Sequence, residues 1–246
     1  MTGAGGQITE VGRIMVGQPI GVSWGYVFDG IYQEEDFDDE GNLKPGITSI
    51  SGITVKPGDM KFKDLDGNNV VDPNADKTVV ANSEPKFYGG ITNTFTYKGF
   101  DLSFMFQGSY GSDIINIGRY RYEGFVSYNN VSKGYWRNRW TEENPSNRYP
   151  ALKGQGKTEM SSYYVEDGSY LRLKNLTFGY TLPSRLARKL HLQSLRVYVA
   201  AENLFTWTNY SGYDPEVSFW NKLIPNLDYT NYPRSRTLFL GLSIKY

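Results

Sequence analysis

The 246-residue sequence has no cysteine and a single histidine, His191. Disulfides, thiolate metal sites and cysteine nucleophiles are thereby excluded, and little is left for zinc chemistry or a Ser-His-Asp triad. Excess charge is also lacking. The 26 Lys and Arg balance the 26 Asp and Glu, which implies neither a nucleic-acid footprint nor a polybasic membrane tether. No run approaches the roughly 20 apolar residues of a spanning helix. The opening Met1-Thr2-Gly3-Ala4-Gly5-Gly6 lacks the basic region and apolar core of an export signal. Helical periodicity is scarce. Aromatic residues, by contrast, make up 15% of the chain, with 20 tyrosines, and there are 27 glycines. The mean hydropathy is negative. A membrane β-barrel tolerates that value, because only alternate residues of each strand need to meet lipid.

Period-two alternation is frequent and marks strands. From Phe100 to Tyr110, Phe100, Leu102, Phe104, Phe106 and Tyr110 share one face, and Asp101, Ser103, Gln107 and Ser109 the other. At the end of the chain Leu238, Leu240, Leu242, Ile244 and Tyr246 oppose Thr237, Gly241, Ser243 and Lys245. Leu195, Val197, Val199 and Ala201 oppose Arg196, Tyr198 and Glu202. Gly21–Gln33 and Phe87–Tyr97 alternate less strictly. In Ser169–Tyr180 the phase slips between Leu173 and Leu176, which predicts a bulge or a dry-to-wet transition. Lys98-Gly99 reads as a tight hairpin turn. Thr181–Ser194 is a short connection in which Leu186 and Leu190 suggest one helical turn. The remaining connections, about 34–86, 111–168 and 204–235, are long. Long and short connections alternate, as in outer-membrane barrels with short inner turns and long outer loops. The expected fold is all-β: an antiparallel transmembrane β-barrel fragment of about six C-terminal strands with long extracellular loops. Six strands cannot close around a pore, so the chain is expected to be an arc. The competing fold is a soluble antiparallel domain whose apolar faces cover each other.

Several stretches carry a resemblance. In order they are Gly17-Gln18-Pro19, Gly25-Tyr26-Val27-Phe28-Asp29-Gly30-Ile31, Lys56-Pro57-Gly58-Asp59-Met60-Lys61-Phe62-Lys63-Asp64 and Glu84-Pro85-Lys86-Phe87-Tyr88-Gly89-Gly90. Then come Gly168-Ser169-Tyr170-Leu171-Arg172-Leu173-Lys174-Asn175-Leu176 and Gly179-Tyr180-Thr181-Leu182-Pro183. Asn203-Leu204-Phe205-Thr206-Trp207-Thr208, Tyr210-Ser211-Gly212-Tyr213-Asp214-Pro215-Glu216 and Tyr232-Pro233 complete the series. From about Gly12 to Tyr246 the chain resembles the C-terminal barrel portion of SusC/RagA-like TonB-dependent outer-membrane transporters. The resemblance implies a barrel of about 22 strands filled by an N-terminal plug. It further implies import of glycans or peptides, a SusD-like surface lipoprotein as partner, and energy delivered by TonB through an N-terminal region. On that reading residues 1–246 are all barrel, with the plug and signal peptide absent. The resemblance also implies that the protein is not an enzyme, contacts outer-membrane lipid and resides in the outer membrane. The family usually ends in Phe; Tyr246 keeps the ring and adds a hydroxyl. The alternative is a soluble glycan-binding β domain, which would lack an exposed apolar strip.

Two sets of side chains are candidates for binding. In the Asp64–Asp76 segment, Asp64, Asp66, Asn68, Asp72 and Asp76 offer hard oxygens and Gly67 a sharp bend, which suits Ca²⁺, although the spacing is not that of an EF-hand. An Asx-rich turn is the competing account. The aromatics Tyr135, Trp136, Trp140, Tyr210, Tyr213 and Trp220 lie in predicted outer loops, where rings stack on sugars or pack on peptides. Trp207, near a strand end, is expected in the interfacial girdle. The acidic run from Glu34 to Glu40 reads as solvated surface. Asp214 and Glu216 lie too close in sequence to straddle a scissile bond.

Overall fold

The computed structural model describes residues 14–123, 130–152, 159–217 and 226–246. They divide into two compact units. One contains Pro85–Ser112, Asp167–Glu216 and Asn231–Tyr246; the other contains the chain up to Glu84, Asp113–Glu166 and Val217–Thr230.

The first unit is a single antiparallel sheet. Its strands are β1 (Phe87–Tyr97), β2 (Phe100–Tyr110), β3 (Tyr170–Thr181), β4 (Ser194–Thr208) and β5 (Thr237–Lys245), in spatial order β1-β2-β3-β4-β5. Lengths of nine to fifteen residues suffice to cross the apolar core of a bilayer at a tilt. Lys98 and Gly99 join β1 to β2 with φ of +46° and +89°, the signs a type I′ turn demands. Between β3 and β4, Ser184–Lys189 forms the expected short helix.

Register shows which residues share a face, because directly paired residues on antiparallel strands point the same way. Ile91 pairs with Phe106, Phe106 with Leu173, and Leu173 with Phe205. Lower down, Phe95 pairs with Leu102, Leu102 with Phe178, Phe178 with Val199, and Val199 with Leu240. One face is therefore a nearly continuous apolar surface, with Asn93 a polar exception. It is open to the surroundings: Phe95 is 57% exposed and Leu240 79%. Aromatic groups mark both ends. Phe87, Tyr110 and Trp207 lie toward the long loops, and Tyr97, Phe100 and Tyr180 toward the tight turn, as in the two girdles of a membrane barrel.

The opposite face is polar, with Thr92, Thr94 and Thr96 on β1 and Asp101, Ser103 and Gln107 on β2. There the Arg196 guanidinium grips Asp101 with two hydrogen bonds, of 2.8 and 2.5 Å. It does so across Gly179, where a Cβ would come within 2.6 Å of both partners. The predicted bulge is present: register slips between Leu173 and Asn175 against both neighbours, which leaves Lys174 unpaired. On β4 the slip is taken up by Asn203, at φ +51°, a conformation that Asn tolerates better than most residues. Its side-chain amide donates to the Ser235 carbonyl.

The second unit corrects the expectation of a sixth long strand. Gly21–Gln33 forms two short strands, Val22–Tyr26 and Phe28–Ile31. They pair with Lys77–Asn82 and Met60–Phe62, not with the five-stranded sheet. The weaker alternation there has a physical cause, since residues of both parities are buried, Val22 with Ser23 and Ile31 with Tyr32. The long connections build a shared core from Tyr26, Ile31, Met60, Phe62, Val71, Ile115, Trp140, Met160, Tyr164 and Leu227. Backbone bonds assist, with the Tyr26 N–H donating to the Met160 carbonyl at 2.9 Å. Gly25 is needed beside that bond, because a Cβ would lie 2.4 Å from the same carbonyl oxygen.

Candidate functional site

The proposed ligand aromatics separate by burial. Tyr135 is 2% exposed, and its hydroxyl donates to the Pro150 carbonyl at 2.8 Å. Trp140 is buried, with its indole N–H on Gln33 Oε1 at 2.9 Å, and Tyr210 is buried as well. These three rings fill loop interiors and present no face to a ligand. They are corrected from binding platforms to packing residues. Trp136 is half exposed, with the Arg139 guanidinium 3.6 Å from its ring centre, and Tyr213 is 67% exposed. Both stay open to an incoming molecule. Trp220 lies outside the described residues. Trp207 takes the girdle position expected of it, on the apolar face 6.3 Å from Phe106.

The acidic run is exposed at Glu34, Glu35, Asp38, Asp39 and Glu40, as expected of solvated surface, and Asp36 is its one half-buried carboxylate. Glu34–Asp36 forms a 3₁₀ turn in which Asp36 accepts from the Gln33 N–H at 2.9 Å and pairs with Lys61 at 2.8 Å. Glu34 and Glu35 then line a cleft with Asp29, Glu142, Lys61 and the edge of Trp140. Such walls favour hydroxyl donors and cations over anions.

The Asp-rich segment forms interlocked turns. Asp64 accepts from the Gly67 and Asn69 N–H groups at 2.7 and 2.6 Å. Asp76, fully buried, accepts from Leu65 and Asp72 N–H groups at 2.6 and 2.8 Å. Asp64, Asp66 and Asp76 each bring one oxygen within 4.8 Å of the others. Asp72 stands outside that group and accepts from Asn74 and Ala75; Asn68 accepts from Val70 and donates to Asp66. The expected five-ligand shell is thereby reduced to three carboxylates. Partial desolvation, together with Asp64 and Asp76 nearby, pushes the Asp66 carboxyl up. Partial desolvation also acts upward on Asp64, but the Asn69 and Gly67 N–H groups outweigh it and hold that carboxyl low. Replacing Asp76 with Ala strands two backbone donors, an expected loss of about 1–3 kcal/mol of local stability. The readout is faster proteolysis between Gly67 and Asn69. If the trio takes Ca²⁺, millimolar Ca²⁺ slows that cleavage in the native chain but not in Asp66→Ala.

A second charged cluster joins β3 to the segment after β4. Arg172 Nη2 lies 2.6 Å from Asp214 Oδ1, and Nη1 3.4 Å from Glu216 Oε2. Arg234 Nη2 lies 3.0 Å from Glu216 Oε1, and Lys174 Nζ 3.7 Å from Oε2. Burial pushes the Asp214 carboxyl up, but the Glu216 N–H, Arg172 and the Arg234 N–H together hold it below the usual range. Both carboxylates are thus committed to cations, which removes them as an acid/base pair. Sequence reading placed Arg172 and Asp214 in separate motifs; no local signal links them.

No family model matches the chain. Among curated proteins, TonB-dependent receptor P3 of Formosa agariphila is 37% identical over 236 residues, 94% of this chain and 22% of the relative. TonB-dependent receptor P26 of the same organism is 31% identical over 242 residues, 95% of this chain and 23% of the relative. TonB-dependent receptor SusC of Bacteroides thetaiotaomicron is 31% identical over 195 residues, 78% of this chain and 18% of the relative. The chain spans about a fifth of the length of the curated relatives it matches. Among solved structures, the RagAB peptide importer in its "open-open" state matches with a TM-score of 0.68 at 23% identity, over 96% of this chain and 25% of that one. Its "closed-closed" state matches with a TM-score of 0.65, over 97% and 25%. These likenesses establish a shared fold.

Proposed function

Because the chain is homologous to TonB-dependent receptors of the SusC/RagA kind over nearly its whole length, we propose that it forms the C-terminal part of the barrel of such a receptor. In this reading it serves in the outer membrane as wall and outer loops of an importer for glycans or peptides. A SusD-like surface lipoprotein is its partner, and TonB drives transport through another part of the receptor. The observation that carries the proposal is the two-faced sheet. One face is apolar and open from Phe95 to Leu240, and the other is lined with Thr, Ser and charged residues. A water-soluble domain would have to cover the apolar face, whereas lipid covers it without any partner.

Topology provides the test. An epitope placed at Lys98-Gly99 should be hidden on intact cells, and one placed at Tyr213, in the long connection after β4, should be accessible. Surface exposure of the Lys98-Gly99 epitope would reverse the orientation. The exposed rings of Trp136 and Tyr213 are the loop aromatics offered to substrate, with Trp220 of the original set untested by geometry.

A further inference from the structure

Arg172 is 2% exposed, although it stands on the polar face of β3 in register with Gln107 and Thr206. Both of those neighbours are only half-buried, so something beyond the sheet must cover Arg172. The cover is the segment that follows β4, where Asp214 and Glu216 reach back to the guanidinium. Arg234, just before β5, closes the cluster from the other side, through Glu216 and through its own N–H to Asp214 Oδ2 at 3.3 Å. Both ends of one long connection are therefore tied to a single strand residue.

We propose that Arg172, supported by Lys174 and Arg234, is the positioning residue that holds residues 210–216 against the polar face of the sheet. There they form a fixed ledge over the import path. The proposal rests on the barrel reading, in which this polar face is the inner wall. The hold is chiefly one of charge. Arg172 Nε and Glu216 Oε2 are buried without hydrogen bonds, so opposite charge, more than a full set of hydrogen bonds, keeps the segment down. A buried guanidinium stripped of its carboxylates is costly, which makes the segment's inward position the low-energy one. Three cations meet two carboxylates in the cluster, so the ledge also cancels most of the positive charge that this part of the wall would otherwise present. Tyr213, exposed and next to the buried pair, is carried on the ledge with its ring free.

The natural chain has no cysteine, so paired spin labels can be placed in it through Thr92→Cys on the inner face of β1 and Tyr213→Cys on the ledge. In the full-length receptor carrying this chain, the native cluster should give one narrow inter-label distance. Arg172→Gln should replace it with a broad distribution shifted to longer distance, while heat-modified gel mobility shows the barrel still closed. If Arg172→Gln fails to insert, Asp214→Asn on the loop side gives the same readout without touching a strand. The charge-swapped double variant Arg172→Asp with Asp214→Arg should recover the narrow peak, which a purely space-filling role for Arg172 would not produce. A narrow peak that survives both Arg172→Gln and Asp214→Asn, or a swap that recovers nothing, overturns the proposal. Failure of the barrel reading looks different: cysteines at Ser103 and Phe104 would then react equally with an aqueous maleimide.

Discussion

Glu123→Ala is expected to cost about 3 kcal/mol of local stability in the loop-built unit. Glu123 sits at the end of the short helix Ile117–Tyr122, with 7% of its side chain exposed. Its Oε1 accepts from Arg119 Nε at 2.8 Å, and its Oε2 accepts from the Tyr163 hydroxyl at 2.5 Å. Burial first, and then the Glu123 carboxylate, push the Tyr163 phenol far up, so it remains a donor at any ordinary pH. The Arg119 guanidinium lies over the Tyr163 ring at 4.2 Å and also donates to the Tyr163 carbonyl. Removing the carboxylate takes the nearest acceptor from Arg119, which keeps Glu166 at 3.9 Å and the Tyr163 carbonyl, and leaves the buried Tyr163 hydroxyl short of its acceptor. Amide exchange in Ile117–Tyr122 and Ser162–Tyr164 should accelerate by two to three decades, with Glu123→Gln in between because it keeps an acceptor for Tyr163. Unchanged exchange in Glu123→Ala would mean that another group bears this load.

The second large effect belongs to the sheet. Phe104→Arg should destabilise the inserted barrel by about 2–4 kcal/mol, the cost of a guanidinium near the bilayer midplane. Phe104 lies in the middle of β2, paired with Asn93 on one side and Leu176 on the other, and its ring stacks on Phe95 at 6.0 Å. Ser103→Arg, one residue away, points to the polar face and should cost far less. Reversible unfolding in lipid vesicles compares the two. Equal costs at positions 103 and 104 would argue that neither face meets lipid.

Strands were legible where the two faces differ in character, one apolar and one polar. Phe100–Tyr110 follows its parity except at Met105 and Gly108, and of the two readings of the phase slip near Lys174 the bulge is the one present. Lys98-Gly99 was readable because so few residue pairs accept positive φ twice in succession. Gly21–Gln33 was misread for the opposite reason. Its partners are Met60–Phe62 and Lys77–Asn82. Burial on both sides erases the alternation that identifies a barrel strand. The loop aromatics were hidden similarly, since Tyr135 is held by Pro150, 15 residues on, and Trp140 by Gln33, 107 residues back. Of the Asp-rich segment, the sequence showed an abundance of oxygens, but neither that only Asp64, Asp66 and Asp76 come together nor which oxygens are spent on backbone N–H groups. The Arg172 cluster was invisible because it unites residues 42 positions apart whose only common property is charge.

Two glycines on the polar face have a mechanical consequence. Gly179 makes room for the Arg196–Asp101 pair, and Gly241 for the Tyr198 ring, which an added Cβ would meet at 2.2 Å. Arg196 in turn lies over Tyr198, 4.7 Å from its ring centre. Two of the bulkiest side chains on this face therefore lie along the sheet instead of standing away from it. In a closed barrel that gives the wall around these residues a low relief, with the charges of Arg196 and Asp101 satisfied by one another. At this stretch the wall would offer a passing body the flat sides of Arg196 and Tyr198, and the charge of Arg196 is already matched by Asp101.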